Sequence, residues 1–454
     1  MLLDIRRDIA LRDFASHQFH VVAAGIALAI APLGIAGGEV ALGILMVVSV
    51  ARARDLWPVW LEALRSPLGA AFAAFVAWMS LSLMWSPDPA HGIDSFQCMR
   101  TLLWAPLLYP LLRDPGSRVA LLLALLAGIT ALALTQMWQW GQLQLAANGS
   151  AAVARLGGLH GEVGKAGMWA GAGVCIGAFL CVSPRLSRGM RVAAAVAMLC
   201  CLGGLCACAT LRAMGGAAFG LVTAAALSVA VPVTGDRARR AWVAVPVTVA
   251  LAGMWLGAER RWEDRPQRQM TAASTGSPVA GDGPIANPPQ NERAWYVTLD
   301  SLPARILWWR ASWHAFLQHP VIGSGWGATP TIVSEYPGGA EFVSQNPRAL
   351  AQHPDLLTPS QPHSLYLMTL GEFGGIGAAM LAAIVVLVAR NCIRATRCCA
   401  ELGGPAAATA LWFVSAGGDT VFNAAVFAAG AIFMAFTAPL PRGAWGQELA
   451  CSSR

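Results

Sequence analysis

Apolar runs of about 20 residues recur along almost the whole chain, separated by short polar connectors. A helix of that length crosses a ~30 Å hydrocarbon core. The pattern predicts twelve spans, near 18–36, 37–51, 68–86, 95–112, 119–142, 165–183, 192–210, 215–233, 241–258, 373–390, 405–419 and 421–439. The second is short and reads as half of a tight hairpin. Ala29–Ile30–Ala31 mimics a signal-peptide cleavage site, but further spans follow at once, so an uncleaved first helix is expected. The expected fold is an all-α polytopic membrane protein in four parts. These are an N-terminal bundle over 1–258, a large polar region over 259–372, C-terminal spans over 373–440 and a tail over 441–454.

Composition agrees with this class. Apolar residues make up 56% and charged residues 12%, about half the charge of a soluble domain. The connectors set the orientation. Arg6, Arg7 and Arg12; Arg52, Arg54 and Arg65; Arg113 and Arg118; Arg185, Arg188 and Arg191; Arg237, Arg239 and Arg240; and Arg390, Arg394 and Arg397 all fall on one side of a twelve-span chain. The positive-inside rule makes that side cytoplasmic and puts 259–372 outside. The +7 net charge is mostly this topology signal, and its dispersal among spans argues against nucleic acid as a partner. None of the eleven cysteines lies between residues 209 and 391, so the outer region has no disulfide staple.

The outer region divides into three. Residues 264–292 are rich in Pro, Gly, Ser and Ala and read as a mobile linker. Residues 303–318 read as a helix that opens on Pro303 and stops at His319–Pro320. Residues 321–362 read as an irregular lid around Gly323, Gly325 and Gly327, after which a helix beginning at 363 merges into the next span.

Candidate chemistry concentrates here. At ~100° per residue, Arg310, His314 and Gln318 form one polar stripe, while Arg305 faces the aromatic side with Trp309, Ser312 and Phe316. A buried arginine is costly unless an anion meets it, so Arg305 reads either as a phosphate ligand or as half of a structural ion pair. Arg310 is a weaker ligand on the wet side. Trp308, Trp309 and Trp313 suit a helix at the membrane interface, and Trp309 is also a candidate sugar platform. Ser360–Gln361–Pro362–His363 resembles an N-cap and first turn. The positive helix end disfavours a charged imidazole there, which suits His363 to a general base; the plain alternative is a lid hydrogen bond. His160, His314, His319 and His353 read as surface or interfacial residues. Three further cations sit at outer edges. Arg212 occupies a tight hairpin followed by small residues, Arg155 lies in a loop, and Lys165, the chain's single lysine, starts a span.

Absent motifs narrow the chemistry. The sequence has no Walker loop, no dinucleotide fingerprint, no acidic pair at an outer surface and no metal-ligand spacing. Arginines with one histidine, outside the membrane and without a cofactor, suit a lipid-linked donor whose leaving group is a diphosphate.

The order of motifs resembles the O-antigen ligase and polymerase superfamily of envelope glycosyltransferases. The matching pieces are Arg305-x-x-x-Trp309-x-x-x-Trp313, His319–Pro320-x-x-Gly323-x-Gly325, Pro362–His363–Ser364–Leu365–Tyr366–Leu367 and Gly371–Glu372–Phe373–Gly374–Gly375–Ile376–Gly377. Thr210–Leu211–Arg212–Ala213 resembles the family's Ser-Arg hairpin, with Leu211 where Ser is common. The resemblance implies a GT-C-like fold in a bacterial inner membrane, with its site in a periplasmic loop. It also implies an undecaprenyl-diphosphate-linked glycan donor and a metal-independent reaction that needs no cofactor. Its essential residues map onto Arg212, Arg305 and His363, with Arg310 as a further candidate. Within the superfamily a ligase acting on a lipid A–core acceptor is favoured over an O-antigen polymerase or a protein O-oligosaccharyltransferase. A transporter is the reading from a different class, and it would need charges midway through spans. Ser364 stands where Asn is common, which leaves the subtype open.

Overall fold

The structure is a computed structural model. It describes residues 14–146, 157–160, 163–183, 185–208, 211–230, 302–345, 354–359, 362–398, 402–416 and 424–438. The expected ninth span, the linker at 264–292, Arg155, His353, Cys399 and the C-terminal tail lie outside the described residues.

The described elements are helices and no strand is present among them. In chain order they begin with α1 (Phe14–Ile30), α2 (Ile35–Ala51), α3 (Ala53–Arg65) and α4 (Pro67–Ser82). Next come α5 (Pro89–Phe96), α6 (Trp104–Leu108), α7 (Pro115–Ala146), α8 (Val163–Leu180), α9 (Arg188–Cys208) and α10 (Leu211–Ala230). The rest are α11 (Leu302–Gln318), α12 (Thr329–Ser334), α13 (Gly338–Gln345), α14 (Leu365–Cys398), α15 (Gly403–Ala416) and α16 (Ala424–Thr437). Six of the described helices are long and apolar enough to cross a membrane, or seven if α2 and α3 count as one bent span.

Several expected spans take other shapes. The chain turns by 106° between α2 and α3, and α3 has the alternation of a helix lying along the membrane surface. The segment 95–112 is broken into the end of α5, a 3-10 stretch over Gln97–Leu103 and the short α6. Pro106 and Pro110 each remove a backbone donor there, which weakens a continuous helix. α15 and α16 are apolar but only 14 residues each.

The bundle is built around α8, buried along nearly its whole length. Small residues make this possible. A Cβ on Gly171 would meet Leu411 of α15 at 2.8 Å, and one on Gly173 would meet Cys201 of α9 at 2.6 Å. From the other side, a Cβ on Gly404 would meet Ile176 Cα at 2.7 Å.

The bundle has two distinct ends. At one, Arg52 lies 3.2 Å from His20 Nδ1 and Arg113 pairs with Glu62 at 2.5 Å. α4 starts at this end, capped by Ser66, which accepts from Gly69 N–H at 3.0 Å. It finishes at the opposite end, where Ser82 Oγ accepts from Trp326 N–H at 3.2 Å. The region around α11 to α13 therefore sits at the end opposite Arg52 and Arg113.

Candidate functional site

The site is framed by a break in α14. Gly374 has φ +64°, so the helix ladder is interrupted and neighbouring backbone groups need other partners. The turn after α11 supplies them. Ser324 N–H donates to Gly371 O at 2.9 Å and Gly325 N–H to Glu372 O at 2.8 Å. In return Gly375 N–H donates to Pro320 O at 2.8 Å and Ile376 N–H to Val321 O at 3.2 Å. Trp78 of α4 donates its indole N–H to Phe373 O at 3.1 Å. The His319–Pro320-x-x-Gly323-x-Gly325 and Gly371–Gly377 motifs are thus two halves of one backbone clasp.

Glycine is required at this clasp. Gly323, Gly325 and Gly327 have φ of +71°, +94° and +86°. A Cβ on Gly325 would lie 2.5 Å from Ser86 Cα, and one on Gly327 would lie 2.8 Å from Gly92 Cα. The clasp is finished by Glu372, which is buried. Its Oε1 accepts from Thr329 N–H at 3.0 Å and from Thr329 Oγ1–H at 2.6 Å, and its Oε2 accepts from Gly327 N–H at 3.3 Å. In the sequence Glu372 stands only as one residue of the Gly371–Gly377 motif. The signal that marks it is a lone carboxylate at the head of an apolar span, an arrangement that demands partners.

α11 carries the candidate chemistry. Helical phasing holds: Arg305 is buried with Ser312, while Arg310 and Gln318 are exposed and His314 is half-buried. One turn beyond Arg305, two indoles grip the lid. Trp308 donates to Leu356 O at 2.8 Å, and Trp309 donates to Pro362 O at 3.0 Å. The His363 ring stacks on Trp308, with centroids 5.1 Å apart and planes 20° apart. Trp308 and Trp309, one turn beyond Arg305, therefore tie α11 to Pro362 and His363.

His363 is not in the first helical turn. α14 starts at Leu365, and its first bond runs from Met368 N–H to Ser364 O at 2.9 Å. Ser364, rather than Ser360, takes the capping position; its Oγ stands 3.4 Å from Leu367 N–H. His363 has φ +53°, an unusual conformation for a residue with a Cβ, and the two indoles hold the chain in it. Ser360 and Gln361 lie outside the described residues.

The remaining cations distribute as follows. Arg212 is the second residue of α10; its side chain lies outside the described residues. Its helix end is nonetheless placed by the backbone. A Cβ on Gly216, one turn on, would lie 3.2 Å from Ser415 Oγ of α15, and Tyr366 of α14 donates to Phe413 O of the same helix at 2.9 Å. The N-terminal ends of α10 and α14 thus meet the same end of α15. Lys165 joins this end from the first turn of α8 and is buried. His160, expected at the surface, is buried too, because its 3-10 turn packs against α7 and α8. His319 is exposed.

Two cavities run along the outer stripe of α11. One of about 380 Å³ is lined by Ile306, Trp309, Arg310, Trp313, His314, Leu317 and Tyr336. The other, of about 510 Å³, lies between α11 and α12. The edge-on pair His314–Tyr336, with centroids 5.6 Å apart, lines both.

A search of curated proteins finds no match. Residues 197–382 match the family model described as O-Antigen ligase. This segment holds Arg212, Arg305, Arg310 and His363, together with both halves of the clasp, and the match supports the resemblance to the O-antigen ligase and polymerase superfamily.

Proposed function

We propose that the protein is an O-antigen ligase that moves a glycan from undecaprenyl diphosphate onto a hydroxyl of lipid A–core at the periplasmic face of the bacterial inner membrane. One observation carries this reading. A buried arginine stands one turn from the indoles that hold Pro362 and His363, inside a segment matching O-Antigen ligase. Orientation is supported by the clustering of Arg52 and Arg113 at the end of the bundle opposite the lid. The twelve-span, GT-C-like architecture belongs to the same proposal.

In the proposed reaction His363 takes the proton of the acceptor hydroxyl as that oxygen attacks the anomeric carbon of the donor. The bond between that carbon and the diphosphate oxygen breaks, and undecaprenyl diphosphate leaves with the electron pair. Arg305 and Arg212 stabilise the charge that develops on the departing phosphates. Lys165, Arg155 and Arg310 are auxiliary contacts to the phosphates or sugars. The proposed route assigns no step to a metal ion.

The test is turnover of purified protein with lipid-linked glycan and lipid A–core in detergent. His363→Ala should lower kcat by about 10²–10⁴, with little change in donor binding and no effect of chelators on the wild type. Near-normal turnover by that variant would sink the mechanism. Lipopolysaccharide from a deletion strain decides the subtype. Core alone with accumulated lipid-linked polymer means ligase, and core with one repeat means polymerase.

A further inference from the structure

We propose that the 510 Å³ cavity between α11 and α12 is a saccharide subsite, separate from the diphosphate-binding arginines, that holds rings of a glycan chain extending from the reacting centre. This rests on the glycan-transfer reading above. The size is that of a ligand pocket, and the lining has the mixture that sugar rings need. Trp85 and Tyr336 offer ring faces for the apolar side of a pyranose. His314, Gln318, Thr331 and Glu335 offer hydrogen-bonding groups, with Glu335 and Gln318 exposed. No arginine or lysine is among the lining residues, so the cavity is not built for phosphate.

Position supports the same reading. The reacting centre sits at the first half of α11, at Arg305, Trp308 and Trp309. The cavity sits beside its last turns, from Ala311 to Gln318. At 1.5 Å per residue, Trp308 and Gln318 are about 15 Å apart along the helix. Alongside runs the 380 Å³ cavity, lined on this helix from Ile306 to Leu317, and it shares the His314–Tyr336 pair with the larger one. The two cavities make one path along the outer stripe of a single helix, leading away from His363. An extended chain of sugar rings fits such a path.

The experiment uses the full-length protein in nanodiscs and two probes. These are lipid-free O-polysaccharide, released by mild acid from its lipid diphosphate carrier and so without core, and lipid-free core oligosaccharide, released by mild acid from lipopolysaccharide that carries no O-polysaccharide. Binding is read by calorimetry, and transfer kinetics are measured beside it. Glu335→Ala and Tyr336→Ala should raise Kd for one probe by about tenfold or more, and raise the matching KM similarly with kcat within about twofold. The probe that weakens identifies the source: donor glycan or acceptor core. Thr331→Trp, which fills the cavity from a half-exposed position, should abolish that binding and covers the case in which Tyr336→Ala fails to fold. Unchanged Kd for both probes in Glu335→Ala and Thr331→Trp, or losses confined to kcat, would overturn the subsite. Absence of transfer by a wild type that still binds a probe in this cavity would count against the ligase reading while leaving the subsite standing.

Discussion

His363 lies flat against Trp308, 5.1 Å between ring centroids, although 55 residues separate them in the chain. Trp308 is fixed in turn by its hydrogen bond to Leu356 O, so the imidazole rests on a ring that cannot swing freely. Trp308→Ala should therefore displace His363 and cost about 10²-fold in kcat, the scale of a 1 Å error in a positioned group. It should also destabilise the fold by about 3–5 kcal/mol, as emptying a large aromatic site does. Trp308→Phe keeps a ring beneath His363 and should recover much of the turnover. Turnover and thermal unfolding, measured on the same preparations, separate the two effects; wild-type kcat in Trp308→Ala would remove the positioning role.

Arg305 and Arg310 lie on the same helix but on opposite faces, and should behave differently. Arg305→Lys keeps the charge and loses the two-pronged donor geometry, so it should stay badly impaired while still inserting in the membrane. Arg310→Ala, at an exposed position, should be much milder. Complementation of a deletion strain, scored on lipopolysaccharide gels, gives the order directly. A dead Arg310→Ala beside an active Arg305→Ala would reverse the assignment.

Glu372 joins three donors from the lid, and its loss should be felt as instability. Glu372→Ala leaves Gly327 N–H, Thr329 N–H and the Thr329 hydroxyl without their buried acceptor, at about 1–3 kcal/mol for each unsatisfied group. Glu372→Gln keeps one acceptor oxygen and should fall between Ala and wild type. The midpoint of unfolding in detergent is the measurement, and an unshifted midpoint in Glu372→Ala would show that the carboxylate does not hold the lid.

The clasp glycines give a contrast within one residue type. Gly325→Ala must accept both φ +94° and a backbone contact at 2.5 Å, so it should fail to accumulate as folded protein. Gly141→Ala in α7 meets nothing within 4 Å, and should match or exceed wild-type stability by up to about 1 kcal/mol. Size-exclusion profiles of the two tagged variants compare them. A monodisperse Gly325→Ala would mean that the clasp tolerates rearrangement.

The sequence by itself determined the class of this protein, most of its long apolar helices, the extent of α11 and the sidedness of Arg305 and Arg310. All of these follow from local periodicity, because a helix repeats every 3.6 residues and oil separates from water along it. It also held the motif order that resembles the O-antigen ligase and polymerase superfamily. Tertiary structure decided the rest. Whether 95–112 crosses as one helix depends on what surrounds two prolines, and where α14 begins depends on two tryptophans gripping Pro362 and His363 from another helix. The role of Glu372 and the meaning of the two glycine motifs required knowing that residues 320–325 meet residues 371–376. Those are backbone hydrogen bonds across distant segments, and no spacing along the chain encodes which unpaired carbonyl will meet which unpaired amide.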